Sequence, residues 1–247
     1  MPVIFSLNGL TFLLKSHILD VRNRLWYVSC RRKQGLRGFR ACKPFRHSED
    51  DFMRKVMVFI DFENFNISLM DYYRGLGEQV ARLDYNLLSH KIVEMLPGEN
   101  ELMKTFLCAP KPDDFLMNDS RRKNTYDWIN GLKNQKYFTV LEGQHIARPV
   151  AGAKMDINDP SSYFVVEKGT DINMAVHMIA KGFLNSYDTA VVVSGDSDYM
   201  PVLNILNTIG KITVVVGVQG QNLAKLRKCS DDAIILNKAF FDKCLRT

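Results

Sequence analysis

The 247-residue sequence contains no run of 18 consecutive apolar residues, which predicts that no segment spans a membrane as a helix. Its five cysteines form no Cys-x-x-Cys pair, so a disulfide framework or a structural zinc site is not expected, and a reducing, cytoplasmic setting is favoured. The apolar opening segment lacks a basic start and a small-residue cleavage site, so we expect no signal peptide. The Walker A, Gly-x-Gly-x-x-Gly and Gly-x-Ser-x-Gly motifs are absent, which argues against nucleotide-binding and serine-hydrolase chemistry.

The net charge of +6 comes from the first fifth of the chain. Residues 1–52 hold ten Lys and Arg against four Asp and Glu, so residues 53–247 are neutral. Basic side chains in this segment are interleaved with aromatic ones, a composition that can bind phosphates and stack on bases. We predict a weakly ordered basic N-terminal arm. Three interpretations of this arm are open: it binds nucleic acid, it is a partner-binding or swapped element, or it lies upstream of a natural start at Met53. In the third case residues 53–247 form one complete domain.

Short apolar runs alternate with helical patterns along residues 53–247. The runs predict strands at residues 56–60, 102–109, 137–141, 190–193, 211–218 and 233–236. Strands that alternate with helices form a mainly parallel sheet with right-handed crossovers, so we predict an α/β fold. The segment 144–166 contains Pro and Gly and looks extended at its ends, which predicts a hairpin or flap near the site.

The clearest helical pattern of the chain begins at Thr170. Apolar residues at helical spacing follow it: Ile172, Ala175, Val176, Ile179, Ala180 and Phe183. This spacing predicts an amphipathic helix whose apolar stripe packs against the sheet.

Four aspartates occupy the same kind of position in the predicted fold. Asp61 follows the first strand of the domain, and Asp171 lies at a helix start. Asp196 and Asp198 follow the strand at 190–193, and the carboxyl ends of parallel strands form the edge where ligands bind. Carboxylates gathered there repel one another unless a cation neutralises them, and Mg²⁺ or Mn²⁺ suits such oxygen ligands. The alternative is that each aspartate only caps its own helix.

Three motifs follow one another along the domain. They are Asp-Phe-Glu-Asn at 61–64, Lys-Gly-Thr-Asp at 168–171 before the apolar helix, and Ser-Gly-Asp-Ser-Asp-Tyr-Met-Pro at 194–201. Their order and spacing resemble the NYN-domain family of PIN-like nucleases, in its LabA-like branch, over about residues 53–236. The resemblance implies a Rossmann-like three-layer α/β/α sandwich with a mainly parallel sheet.

The same resemblance implies metal-dependent hydrolysis of RNA. The family's catalytic, metal-binding acidic positions fall on Asp61, Asp171, Asp196 and Asp198. Asn64 matches the family's Asn after the first strand, and Ser194 matches its small hydroxyl residue ahead of the acidic pair, as substrate-contacting or supporting positions. Apart from the resemblance, Lys168 lies near Asp171 and is interpreted either as a contact to a substrate phosphate or as ordinary surface charge. The predicted function is therefore an (endo)ribonuclease that uses Mg²⁺ or Mn²⁺ on single-stranded RNA. The alternative is a catalytically weak RNA- or protein-binding regulatory module on the same fold, and a homodimer is left open.

Two further features have open interpretations. Arg121, Arg122 and Lys123 form a basic run that is read as a solvated helix face, with a phosphate contact as the alternative. His145 lies in the predicted flap without a catalytic partner at an informative spacing.

Overall fold

The computed structural model describes residues 53–80, 82–152 and 154–246 with their side chains. Of the first 52 residues it describes the backbone of three strands, β1 (Val3–Leu7), β2 (Leu10–Ser16) and β3 (Trp26–Arg31), which form an antiparallel sheet. The chain divides into two compact units, Met1–Phe52 and Met53–Thr247. The side chains of the basic arm lie outside the described residues, so its RNA-binding role stays a prediction.

The second unit is built on a mixed sheet of seven strands within its described residues. They are β4 (Arg54–Asp61), β5 (Asn100–Pro112), β6 (Phe138–Pro149), β7 (Tyr163–Lys168), β8 (Thr189–Val193), β9 (Ile212–Val218) and β10 (Asp232–Leu236). Their order across the sheet is β10-β9-β8-β4-β5-β6-β7. The β6–β7 pair is antiparallel and every other pair is parallel. The predicted mainly parallel α/β fold is confirmed, and the predicted hairpin corresponds to β6 and β7.

Six α-helices connect or follow these strands in the described part of the second unit. They are α1 (Phe62–Leu76), α2 (Tyr85–Val93), α3 (Ser120–Gly131), α4 (Thr170–Phe183), α5 (Met200–Thr208) and α6 (Lys238–Phe241). None of the described helices is long and apolar enough to cross a membrane. Residues 223–228, which the sequence pattern predicts as helical, contain only a 3-10 turn at Leu226–Lys228.

Alternate side chains of β4 enter two hydrophobic clusters, one on each face of the sheet. Val56, Val58 and Ile60 pack with residues of α1, α2, α3 and α6. Met57 and Phe59 pack with residues of α4 and α5. Strand β8 is buried along its whole length because helices cover both faces of the sheet centre. This arrangement is compatible with a three-layer α/β fold.

The packed face of α4 differs from the prediction. Met174 and Met178 are fully buried in the second cluster, whereas Ile172, Val176 and Phe183 are 66%, 58% and 65% exposed. The helix carries apolar residues around most of its circumference, so periodicity alone did not identify the buried face. Ala175 and Ile179 of the predicted stripe do pack against this cluster, but they are only partly buried. Unbranched methionine side chains fill irregular gaps in a core, and here Met174 and Met178 take the most buried positions.

Candidate active site

The carboxyl ends of β4 and β8 lie side by side at the centre of the sheet. The chain proceeds from β4 to β5 on one side and from β8 to β9 on the other, so a crevice opens between β4 and β8. Asp61 is the last residue of β4, and Ser194, Gly195 and Asp196 follow β8 directly. The predicted convergence of these motifs at one edge of the sheet is therefore what the fold produces.

Asp61 is the most buried of the predicted aspartates, with 4% of its surface exposed. Its Oδ1 accepts a hydrogen bond from the backbone N–H of Asn64 at 3.2 Å, which caps α1. Its Oδ2 accepts one from the hydroxyl of Ser194 at 3.1 Å. Burial raises the pKa of Asp61 to about 6, with the charges of Asp171 and Asp196 adding to the rise and the two hydrogen bonds opposing it. The site thus holds a carboxyl group whose charged form is disfavoured.

Tyr199 connects Asp171 to Asp61. Its buried hydroxyl donates to Asp171 Oδ1 at 3.0 Å and lies 3.5 Å from Asp61 Oδ2. Burial and the neighbouring carboxylates raise the pKa of Tyr199 well above its usual range, so the phenol stays a donor. Sequence reasoning missed this residue, although its position inside the 194–201 motif was a signal.

Asp196 and Asp198 lie on a loop that the backbone organises. Ser194 Oγ accepts the backbone N–H of Asp196 at 3.0 Å, and Asp196 Oδ1 accepts the backbone N–H of Asp198 at 3.0 Å. The side chain of Asp198 is exposed on the 3-10 turn Ser197–Tyr199, and in the described residues it shares no hydrogen-bond donor with Asp61 or Asp171. The structure therefore brings Asp171 and Asp196 within electrostatic range of Asp61 and places Asp198 further towards solvent.

Asn64 holds this loop in place. Its Oδ1 accepts the backbone N–H of Gly195 and the side-chain amide of Gln221, each at 2.8 Å. Gln221 in turn accepts the backbone N–H of Val218 at 3.0 Å. A Cβ on Gly195 would lie 2.3 Å from Gln221 Nε2, so a larger residue there would displace the Gln221 side chain and its bond to Asn64. Gln221 lies in an irregular loop without periodicity and was not predicted, while Lys168 is exposed at the end of β7.

The donor set at the crevice suits a divalent cation. Asp171 and Asp196 place negative charge near the buried carboxyl group of Asp61, and a cation would relieve the repulsion among the three aspartates. No three of the four predicted aspartates have ligand atoms that all lie within 4.8 Å of one another, so water would have to supply part of the coordination of a cation there, as is usual for Mg²⁺. Among the described residues, such a group of three is formed by Glu63, His145 and Glu167.

This second group was missed by sequence reasoning. His145 Nε2 lies 3.2 Å from each carboxylate oxygen of Glu63, and the antiparallel register of β6 and β7 pairs His145 with Glu167. Burial tends to raise the pKa of Glu63, but hydrogen bonds from His145 and Glu167 outweigh it and lower that pKa. Partial burial of its carboxyl group and the neighbouring Glu63 raise the pKa of Glu167 to about 7, although the residue as a whole is exposed and the Thr170 hydroxyl opposes the rise. No sequence spacing signals this group, since its members come from α1, β6 and β7.

A cavity of about 200 Å³ lies beside Glu63 and His145. Arg121, Arg122 and Tyr126 are among the residues that line it. Arg121 and Lys123 are exposed, as a solvated helix face requires, while the place of Arg121 and Arg122 in the cavity wall keeps the phosphate contact as the alternative interpretation.

Comparison with known proteins agrees with these observations. The family model of the NYN domain matches residues 55–237 of the chain. No curated protein matches the chain. A crystal structure of a protein of unknown function from Vibrio parahaemolyticus RIMD 2210633 shares the fold with a TM-score of 0.51 at 20% identity, covering 80% of this chain and 99% of that one. The resemblance found in the sequence is thus confirmed, and the chain belongs to the NYN domain family of the PIN-like nuclease superfamily.

Proposed function

We propose that the chain is a metal-dependent ribonuclease that hydrolyses RNA phosphodiester bonds on a Rossmann-like, PIN-like fold. The observation that carries this proposal is Asp61, a buried carboxyl group at the crevice between β4 and β8, whose pKa is raised to about 6 beside Asp171 and Asp196. NYN domains are generally associated with nuclease activity, which supports an enzyme over a structural module.

In this proposal Asp61, Asp171 and Asp196 hold Mg²⁺ or Mn²⁺, and Asp198 serves as a fourth acidic ligand from the solvent side. A bound cation supplies positive charge for phosphate oxygens and lowers the pKa of an attacking water. The protein itself must hold the negatively charged aspartates at fixed positions before the cation binds.

The supporting hydrogen bonds fit that task. Ser194 and the backbone N–H of Asn64 fix the two oxygens of Asp61, and Tyr199 fixes Asp171. Asn64 also holds the loop that carries Asp196 through its bond to Gly195. We therefore propose Asn64 and Ser194 as positioning residues, in agreement with their place in the family motif.

The proposed substrate is single-stranded RNA. Residues 53–247 have no net charge, so phosphate binding must come from local groups rather than from the whole domain. Arg121 and Arg122 in the cavity wall, exposed Lys168 and the basic arm are the proposed contacts. A cytoplasmic location and a homodimer stay predictions.

The test is cleavage of end-labelled single-stranded RNA by the full chain with Mg²⁺, with Mn²⁺ and with a chelator. We expect cleavage with metal only, and a loss of at least a hundredfold in Asp196→Asn and Asp198→Asn. Asp71→Asn is the matched control, because Asp71 is an exposed aspartate whose described partner is Arg74.

Binding measurements on the same variants separate the two candidate functions. RNA binding without metal-dependent cleavage, on both single-stranded and structured RNA, would contradict the nuclease function and support the regulatory module instead. Cleavage at an unchanged rate in Asp196→Asn would mean that the activity does not come from this site.

A further inference from the structure

We propose that Glu63, His145 and Glu167 form a second metal centre, separate from the aspartate cluster, that binds a divalent cation able to accept an imidazole ligand, such as Mn²⁺ or Zn²⁺. This inference concerns metal binding and does not rest on RNA cleavage.

The geometry of the three side chains is close to that of a loaded site. Their ligand atoms all lie within 4.8 Å of one another, and His145 Nε2 is 3.2 Å from both oxygens of Glu63. A cation with nitrogen and oxygen ligands at about 2.0–2.2 Å holds neighbouring donors roughly 3–4 Å apart. Side-chain movements of about 1 Å would therefore complete the site.

The backbone fixes two of the three ligands relative to each other. His145 and Glu167 are directly paired across β6 and β7, so their side chains leave the same face of the hairpin. Gly143, two residues before His145, allows β6 to approach the start of α4, because a Cβ there would lie 2.0 Å from Thr170 Oγ1. The ligands are thus carried by paired strands rather than by a loose loop.

A buried hydroxyl beside Glu167 supports the same conclusion. Thr170 is 2% exposed, and its Oγ1 has no hydrogen-bond partner among the described residues. This hydroxyl is near enough to the Glu167 carboxyl group to lower its pKa as a hydrogen-bond donor, although no bond of regular geometry joins the two groups. Carboxylates that bind metals are themselves held by neighbouring donors, and an unpaired buried hydroxyl is costly. Thr170 can therefore donate to Glu167 once a cation fixes that carboxylate.

An ordinary ion pair explains less of this arrangement. Glu63 and His145 would suffice for an ion pair, whereas Glu167 adds a second carboxyl group, which can lie this close to Glu63 only with a proton or a cation between them. The imidazole favours Mn²⁺ or Zn²⁺ over Mg²⁺, which prefers oxygen ligands and keeps its waters. The neighbouring cavity, lined by Arg121 and Arg122, leaves room for water or an anionic ligand on the cation.

Pulsed electron paramagnetic resonance of the full chain loaded with Mn²⁺ tests the proposal. A directly bound imidazole gives nitrogen modulation, which a cluster of aspartates alone does not give. We expect the nitrogen signal in the wild type and in Asp196→Asn, and its loss in His145→Ala. His90→Ala, which removes an exposed histidine, is the matched control and should keep the signal.

A second variant keeps the test decisive if His145→Ala does not fold. Glu167→Gln preserves the shape of the side chain. The affinity of this variant for Mn²⁺ at the centre should fall at least tenfold, measured from the nitrogen signal during titration with Mn²⁺. The proposal is overturned if Mn²⁺-loaded wild type lacks the nitrogen signal, if folded His145→Ala retains it, or if Glu167→Gln binds with unchanged affinity. Loss of the signal in Asp196→Asn would show that the two clusters are one site.

Discussion

Replacement of Asp61 by Asn should stabilise the metal-free protein at neutral pH. The substitution keeps the shape of the side chain, and Asn caps a helix about as well as Asp, so the bond from the Asn64 N–H to position 61 should survive. The change removes a negative charge that burial and the charges of Asp171 and Asp196 disfavour. A residue proposed to bind a cation would thus lower the stability of the fold when no cation is present.

The expected magnitude follows from the pKa of Asp61. A rise from 3.8 to about 6 corresponds to about 3 kcal/mol of lost stability at pH 7, at roughly 1.4 kcal/mol for each unit. For a domain of this size, that is a rise of roughly 6–12 °C in melting temperature for the variant. This figure is an upper limit, because the new amide must find acceptors in the hydroxyls of Ser194 and Tyr199.

The pH dependence has a definite sign. Because the folded-state pKa lies above the unfolded value, the folded protein holds a proton between about pH 4 and pH 6 that the unfolded chain has lost. Wild-type stability should therefore fall as pH rises through this window and level off above it. The advantage of Asp61→Asn should shrink from about 3 kcal/mol at pH 7 to roughly half of that at pH 5.

Urea unfolding of both proteins with a chelator at pH 5, 6 and 7 measures this difference. Added Mn²⁺ should then stabilise the wild type by mass action more than it stabilises Asp61→Asn, because the variant keeps only the proposed centre at Glu63, His145 and Glu167. A variant that is less stable than the wild type at pH 7, or a difference that does not change with pH, would refute the reasoning.

Two further predictions test the architecture. Met178→Ala should cost about 2–5 kcal/mol of unfolding free energy because Met178 is fully buried, whereas Val176→Ala should change it by about 0.5 kcal/mol or less because Val176 is 58% exposed; equal costs in chemical denaturation would contradict the observed face of α4. A chain that begins at Met53 should melt cooperatively near the full-length temperature, since Met53–Thr247 is a compact unit; failure to fold would show that residues 1–52 complete its core.

The sequence by itself determined the order of the elements and the edge at which the acidic motifs meet. Buried valine runs define β8 and β9, and a short apolar run ending in Asp61 defines β4. These signals are local, because a strand buried on both faces must be apolar throughout and a parallel sheet gathers the carboxyl ends of its strands. The three motifs in their order were enough to indicate the family.

Only the tertiary structure decided which side chains touch. The buried face of α4 depended on the shape of the space in the core that Met174 and Met178 fill, and the periodicity of a helix gives no information about that shape. The pairing of His145 with Glu167 depended on the register of β6 and β7, in which a shift of one residue turns every side chain to the other face. The raised pKa of Asp61 likewise came from burial and from charges distant in sequence, because electrostatic energies depend on separation in space and on exclusion of water.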